Sequence, residues 1–181
     1  MNKEVGMEEK LKKVILDVPD FPKKGIIFKD LTPIFADTKV FSELVDHLAE
    51  KYKAEGITSI AGIESRGFII GAPLAVKMGV PFFPVRKPGK LPRETYKEEY
   101  ELEYGTDALE IHKDACGKGD KVLIIDDLLA TGGTVRAVAD LIKAQGAEII
   151  GIAFIIELVD LKGRDKLKEY PIVSLVEFEG E

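Results

Sequence analysis

Apolar positions follow two rhythms along this chain: stripes at helical spacing and short unbroken runs. Met7, Leu11, Val14, Ile15 and Val18 recur at helical spacing, and Pro19 ends that run. Residues 19–35, PDFPKKGIIFKDLTPIF, are rich in turn formers and hold no period. They predict an ordered loop with little regular structure. Phe41, Leu44, Val45, Leu48 and Tyr52 form the apolar stripe of a second helix. Asp37 or Thr38 can cap its start, and Gly56 stands where a C-terminal glycine belongs.

Unbroken apolar runs then alternate with helices. Residues 59–63, 81–86, 122–125, 148–156 and 172–176 read as strands. Helices are predicted from the ESRG turn to about Lys77, from about Thr134 to Gly146, and over residues 161–167. Tyr100, Leu102 and Tyr104 alternate with Glu99, Glu101 and Glu103, and Gly105-Thr106 makes a two-residue turn into residues 107–111, a hairpin. Residues 86–95, RKPGKLPRET, are basic, carry two prolines and have no period, which predicts a mobile loop. Continuous apolar strands alternating with helices imply an α/β fold with a central parallel sheet covered on both faces. No repeat, linker or low-complexity segment interrupts the 181 residues, so one domain is expected over 1–181.

Composition narrows the function. The net charge of −6 disfavours general binding to nucleic acid, which depends on neutralising phosphates. No apolar run is long enough to span a bilayer, so no membrane association is expected. The charged start, MNKEVGMEEKLKK, lacks an apolar signal core, and Cys116 is the single cysteine. Both suit a cytoplasmic protein without disulfides. His47 and His112 have no metal-ligand partner at suitable spacing, so no side-chain metal cage is expected.

Residues 122–134, VLIIDDLLATGGT, carry the strongest chemistry. A buried strand ends in Asp126 and Asp127, and a loop follows that enters a helix. Ligands bind beyond the carboxyl ends of strands in open α/β sheets. Free N–H groups and the dipole at a helix entrance favour an anion. Gly132 and Gly133 let backbone approach a phosphate closely, while Thr131 and Thr134 add hydroxyl donors. Two carboxylates make sense beside such a cradle if they hold a ribose diol, or reach its bound metal, while the loop from Ala130 to Thr134 takes the 5′-phosphate. Neither GxxxxGK[ST] nor a GxGxxG after a strand is present.

That string resembles the phosphoribosyl pyrophosphate (PRPP) motif of type I phosphoribosyltransferases. FPKKGIIFKDLTP, GIESRGF, RKPGKLP, LEYG and ELVDLKGR look like the motifs of members that act on adenine. The resemblance runs from about Phe21 to Phe178. It implies the type I phosphoribosyltransferase fold: a central parallel sheet flanked by helices, a small hood to which residues of about 1–35 contribute, and a flexible hairpin loop. It also implies a homodimer and a reaction that needs Mg²⁺, held largely by PRPP or pyrophosphate.

Site residues follow from the resemblance and from their chemistry together. Arg66, at a strand end facing the same crevice, can donate several hydrogen bonds to pyrophosphate, and the resemblance puts a non-proline cis peptide at Glu64-Ser65. Arg86, Lys87 and Lys90 supply positive charge where pyrophosphate leaves, on a lid that excludes water. Arg93 and Lys97 are weaker candidates. Glu103 matches the family's general-base candidate, placed to take the proton from the attacking ring nitrogen or to stabilise the charge that develops there. Phe28 offers one stacking face for the base. The resemblance assigns the other face to Leu158 and the reading of the adenine edge to backbone groups of Ile27 and Lys29. A carbonyl that accepts from the exocyclic amine would reject hypoxanthine, since unpaired buried groups cost about 1–3 kcal/mol. The position of Lys29 is often arginine in the family, which matters only if its side chain acts. Lys162, Gly163 and Arg164 receive no role.

The expected reaction is adenine + PRPP → AMP + pyrophosphate, with Arg66 and Glu103 in catalysis. The rivals are a transferase for hypoxanthine, guanine or xanthine, a PRPP-binding regulator with this fold, and a pyrophosphokinase that makes PRPP. The regulator would carry an extra domain or a broad basic face, and the pyrophosphokinase a longer chain.

Overall fold

The computed structural model describes residues 6–102 and 105–180. Helix α1 (Met7–Val14) is shorter than its apolar stripe predicts. Ile15 turns extended, and β1 (Leu16–Pro19) pairs antiparallel with β2 (Ile27–Asp30). The stretch expected as an irregular loop therefore holds a strand and, after it, the short helix α2 (Thr32–Ala36), which has a proline in its first turn. Cross-strand pairing overrides the helical period of residues 15–18, a tertiary effect that local pattern does not carry. Helix α3 (Thr38–Tyr52) starts where Asp37 accepts hydrogen bonds from the Lys39 and Val40 N–H groups, at 3.0 and 3.1 Å. Its C-cap is Lys53, so Gly56 lies in the turn beyond.

Strand β3 (Ser59–Ile63) leads into α4 (Arg66–Met78), and α4 closes on left-handed Gly79. Then come β4 (Phe82–Val85) and the antiparallel hairpin of β5 (Thr95–Leu102) and β6 (Gly105–His112). Thr106 pairs with Glu101, so Gly105-Thr106 is strand and not turn. Strand β7 (Lys121–Leu129) feeds α5 (Gly133–Ala144), followed by β8 (Glu148–Leu158) and β9 (Ile172–Phe178). The short helix expected over residues 161–167 is instead two 3₁₀ turns, Val159–Leu161 and Gly163–Lys166, broken at Lys162 with φ 52°.

The five strands of the main sheet run in the order β4-β3-β7-β8-β9, all parallel. Their unbroken apolar runs have a simple reason. Leu123 and Ile125 of β7 face one core with Leu44, Leu48, Ile70 and Leu74 of α3 and α4. Val122 and Ile124 face the other, with Val135, Val138, Leu141 and Ile142 of α5 and Leu109 and Ile111 of β6. Both sides of the central strands β3, β7 and β8 are dry along their apolar runs, so alternation has no place there.

Candidate active site

Strand β7 outruns its neighbour. Its last pair with β3 is Gly62–Ile125, whereas its pairing with β8 continues to Leu129–Glu157. Residues 126–129 therefore have one open edge. The acidic pair lies on that edge, inside the strand and not at its end as the sequence suggests. Opposite stands the turn from β3 to α4, where the Glu64–Ser65 peptide is cis. Gly67 allows the close approach: a Cβ there would stand 2.6 Å from the Ile125 carbonyl oxygen and 3.3 Å from Asp126 Oδ1.

Between these segments lies a cleft of about 380 Å³. Arg66, Lys87, Asp126, Asp127, Ala130, Thr131, Gly132 and Thr134 all line it. Gly132 has φ 76° and leads directly into α5, whose first turn has no side-chain cap. Its leading N–H groups are thus available to an anion at the cleft floor. A wider concavity of about 590 Å³ lies against the C-terminal ends of α3 and α4, near the amino ends of the strands. Its charges are paired among themselves, Asp46 with Lys77 and Glu50 with Lys53. Ligands of open α/β sheets bind at the opposite, carboxyl ends.

Charge in the cleft is tightly matched. Arg66 Nε donates to Asp127, which is 5% exposed. The Asp127 N–H donates to Asp126 Oδ1 at 2.9 Å. Burial, with the adjacent Asp127 charge, pushes the Asp126 carboxyl well above the ordinary aspartate range. The basic loop converges on Glu64: Lys90 Nζ at 2.5 Å, the Lys87 N–H at 3.0 Å and Arg86 Nε at 3.2 Å. Burial works to raise the Glu64 carboxyl, but those three partners outweigh it and hold it at about 2. Lys87 Nζ reaches into the cleft to Asp107 at 3.0 Å, and Tyr100 donates to the same carboxylate at 3.3 Å. The hydrogen bond from Lys87 holds Asp107 below its usual range, and that bond raises Lys87 in turn.

Of the basic trio, then, Lys87 lines the cleft, while Arg86 and Lys90 are held on Glu64. Gly133 begins α5. On β2, Ile27 is exposed and Phe28 half-buried, with the Arg66 guanidinium 5.9 Å from the Phe28 ring centre. Lys29 is buried. It pairs with Asp17 at 2.8 Å and lies 4.3 Å over the Phe178 ring. Phe178 is in register with Leu158, which ends β8. Lys29 thus ties the small hairpin to the strand ends of the main sheet. Arg93 pairs with Asp114, and Lys97 with Glu99 at 2.8 Å, neither of them lining the cleft. Glu103 and Tyr104 lie outside the described residues.

Glu64, Tyr100 and Asp107 escaped the sequence reading. Glu64 sits inside GIESRGF, so its motif was visible while its role was not. Tyr100 alternates with glutamates, a sign that it faces inward. Asp107 carried no signal.

The phosphoribosyl transferase domain family matches residues 34–179. An adenine phosphoribosyltransferase of Halothermothrix orenii is 55% identical over 167 residues, covering 92% of this chain and 98% of its own. The crystal structure of adenine phosphoribosyltransferase from Thermoanaerobacter pseudethanolicus has a TM-score of 0.91 at 54% identity, covering 94% of this chain and 99% of its own. The Saccharomyces cerevisiae enzyme, complexed with an imino-altritol bisphosphate and adenine, has a TM-score of 0.88 at 43% identity, covering 93% and 98%. With the open β7 edge, the glycine-led helix entrance and these relatives in agreement, the chain belongs to the type I phosphoribosyltransferase family, among the adenine phosphoribosyltransferases of purine salvage.

Proposed function

We propose that the cleft joins adenine to the ribosyl carbon of PRPP, giving AMP and pyrophosphate. One observation carries the reading: the carboxylate pair and the uncapped helix entrance belong to the same cleft. The ring nitrogen–carbon bond forms as the carbon–pyrophosphate bond breaks, so positive charge builds on the sugar and negative charge on the leaving group. Ala130 to Thr134 hold the 5′-phosphate through backbone N–H groups and two hydroxyls. Asp126 and Asp127 accept from the ribose hydroxyls. Arg66 then exchanges its Asp127 partner for pyrophosphate oxygens, and Lys87 leaves Asp107 likewise. Arg86 and Lys90 close over the leaving group from their station on Glu64. Glu103 takes the proton from the ring nitrogen. Phe28 and Leu158 stack on the base, and backbone groups of Ile27 and Lys29 read its edge.

Among the described residues no group of three His, Cys, Asp or Glu side chains could hold a metal ion. A donor set of two cleft carboxylates suits Mg²⁺ that takes most of its oxygens from pyrophosphate. When bound, Mg²⁺ withdraws charge from the leaving pyrophosphate. Residues of about 1–35 contribute to the hood of one domain over 1–181. Exposed Ile69 and Val76 on α4, 43% and 83% exposed, support a homodimer, which light scattering would test. The lone cysteine supports a cytoplasmic setting.

The decisive assay is PRPP-dependent AMP formation with a panel of purine bases. Adenine should be the preferred base; turnover of hypoxanthine but not adenine would refute the reading. Glu103→Ala should chiefly lower kcat, and an unchanged kcat removes it from the reaction.

A further inference from the structure

Residues 160–164, DLKGR, have no part in the reaction steps, yet they back directly onto the site. Gly163 is buried against the phosphate loop. A Cβ on Gly163 would collide with the Ala130 carbonyl and stand 2.8 Å from the Leu129 side chain. A Cβ on Gly132 would collide in turn with the Gly163 carbonyl. Two glycines therefore let the backbones meet with no side chain between them.

What holds Gly163 there is the next residue. Arg164 Nε donates to both oxygens of Glu157, at 2.7 and 2.9 Å, and Nη2 donates to Oε2 at 2.6 Å. The Ser174 hydroxyl donates to the same Oε2 at 2.6 Å, and Arg164 Nη1 reaches the Ile172 carbonyl at 3.4 Å. Glu157 is 4% exposed, stands opposite Leu129 on β7 and immediately precedes Leu158. Arg164 and Glu157 thus close a ring of chain. Leu158 leaves it on one side, and Gly163 presses on the phosphate loop from the other. Glu157 is buried and multiply bonded while the Arg164 side chain is 43% exposed, so removing the guanidinium strands a buried carboxylate.

We propose that Arg164 is a positioning residue: its clamp on Glu157 seats Gly163 behind residues 130–132 and so sets the phosphate loop and Leu158 together. This rests on the reading of that loop as the 5′-phosphate cradle. The pyrophosphate end, built on Arg66 and Lys87, is outside the ring and should not feel the clamp.

Calorimetric titration of the full chain with AMP, and separately with pyrophosphate and Mg²⁺, tests the proposal. In Arg164→Ala, AMP affinity should fall by about 10- to 100-fold, the scale of a small misplacement of binding groups. Pyrophosphate affinity should stay within about twofold, as for an uncoupled site. Arg164→Lys should restore part of the AMP affinity. Ser174→Ala, a milder loosening of the same clamp, should show a smaller loss of the same kind if Arg164→Ala fails to fold. Unchanged AMP affinity in a folded clamp variant overturns the proposal. So does an equal loss of both ligands, which marks general loosening. A wild-type chain that binds no AMP overturns the phosphate-cradle reading itself, and the clamp with it.

Discussion

Asp126 stands on an open strand edge, walled by the start of α4 and beside a second carboxylate. Its pKa is raised in the folded chain by burial and by Asp127. The sign follows from linkage: a carboxyl with a raised folded pKa binds more protons folded than unfolded, so stability falls as pH climbs from the ordinary aspartate value towards the raised one. Asp126→Asn keeps an acceptor for the Asp127 N–H and removes this penalty. It should raise the melting temperature at pH 7 by about 2–4 °C, with the gain shrinking towards pH 4, while AMP formation falls. Melting curves at the two pH values check it, and a lower melting point at pH 7 would contradict the burial argument. The acidic pair was legible in the sequence because it interrupts an apolar run just before glycines. Its ion pair with Arg66 was not, since 61 residues separate the partners.

At the scale of elements, the site depends on how closely α4 lies on β7. Gly67→Ala places a methyl 2.6 Å from a backbone oxygen that cannot rotate away. The helix must shift, at about 1–3 kcal/mol of stability, measurable by urea unfolding. A variant as stable as the parent would show that the crossing is loose. The hairpin of β1 and β2 makes a different prediction. Lys29 pairs with Asp17 and lies over the Phe178 ring, and the proposed reading of the base edge uses its backbone. Lys29→Ala should lower thermal stability yet keep the ratio of kcat/KM for adenine over hypoxanthine within about threefold. A collapse of that ratio would return the side chain to base recognition. Strand β3 was legible to the residue because both its faces are buried and no charged residue interrupts its run. The helix expected through Val18 was not, because the competing pairing partner lies beyond a turn.

Across the whole molecule, the basic loop is anchored far from its own sequence neighbourhood. Arg86, Lys87 and Lys90 meet Glu64 across 22 to 26 residues of chain. The Glu64 carboxyl, held at about 2 against an ordinary 4.5, contributes stability that is present above the ordinary value and is lost as pH falls towards 2. Glu64→Gln should therefore melt lower at pH 7, and the gap to the parent should close between pH 4.5 and 2. A gap independent of pH would mean that charge is not what Glu64 contributes. The amino-acid order alone determined the α/β class, the five core strands, the phosphate-loop motif and the candidate chemistry, because apolar period and glycine placement are local properties. Only the folded chain decided that β7 overruns β3 to open an edge, that Glu64 gathers the basic loop, that Lys29 pairs within the hairpin and that Arg164 clamps Glu157 beside the Ala130–Gly132 backbone. Each of those depends on groups distant in sequence meeting where burial removes water and makes a pairing matter, and no periodicity along a chain encodes such a meeting.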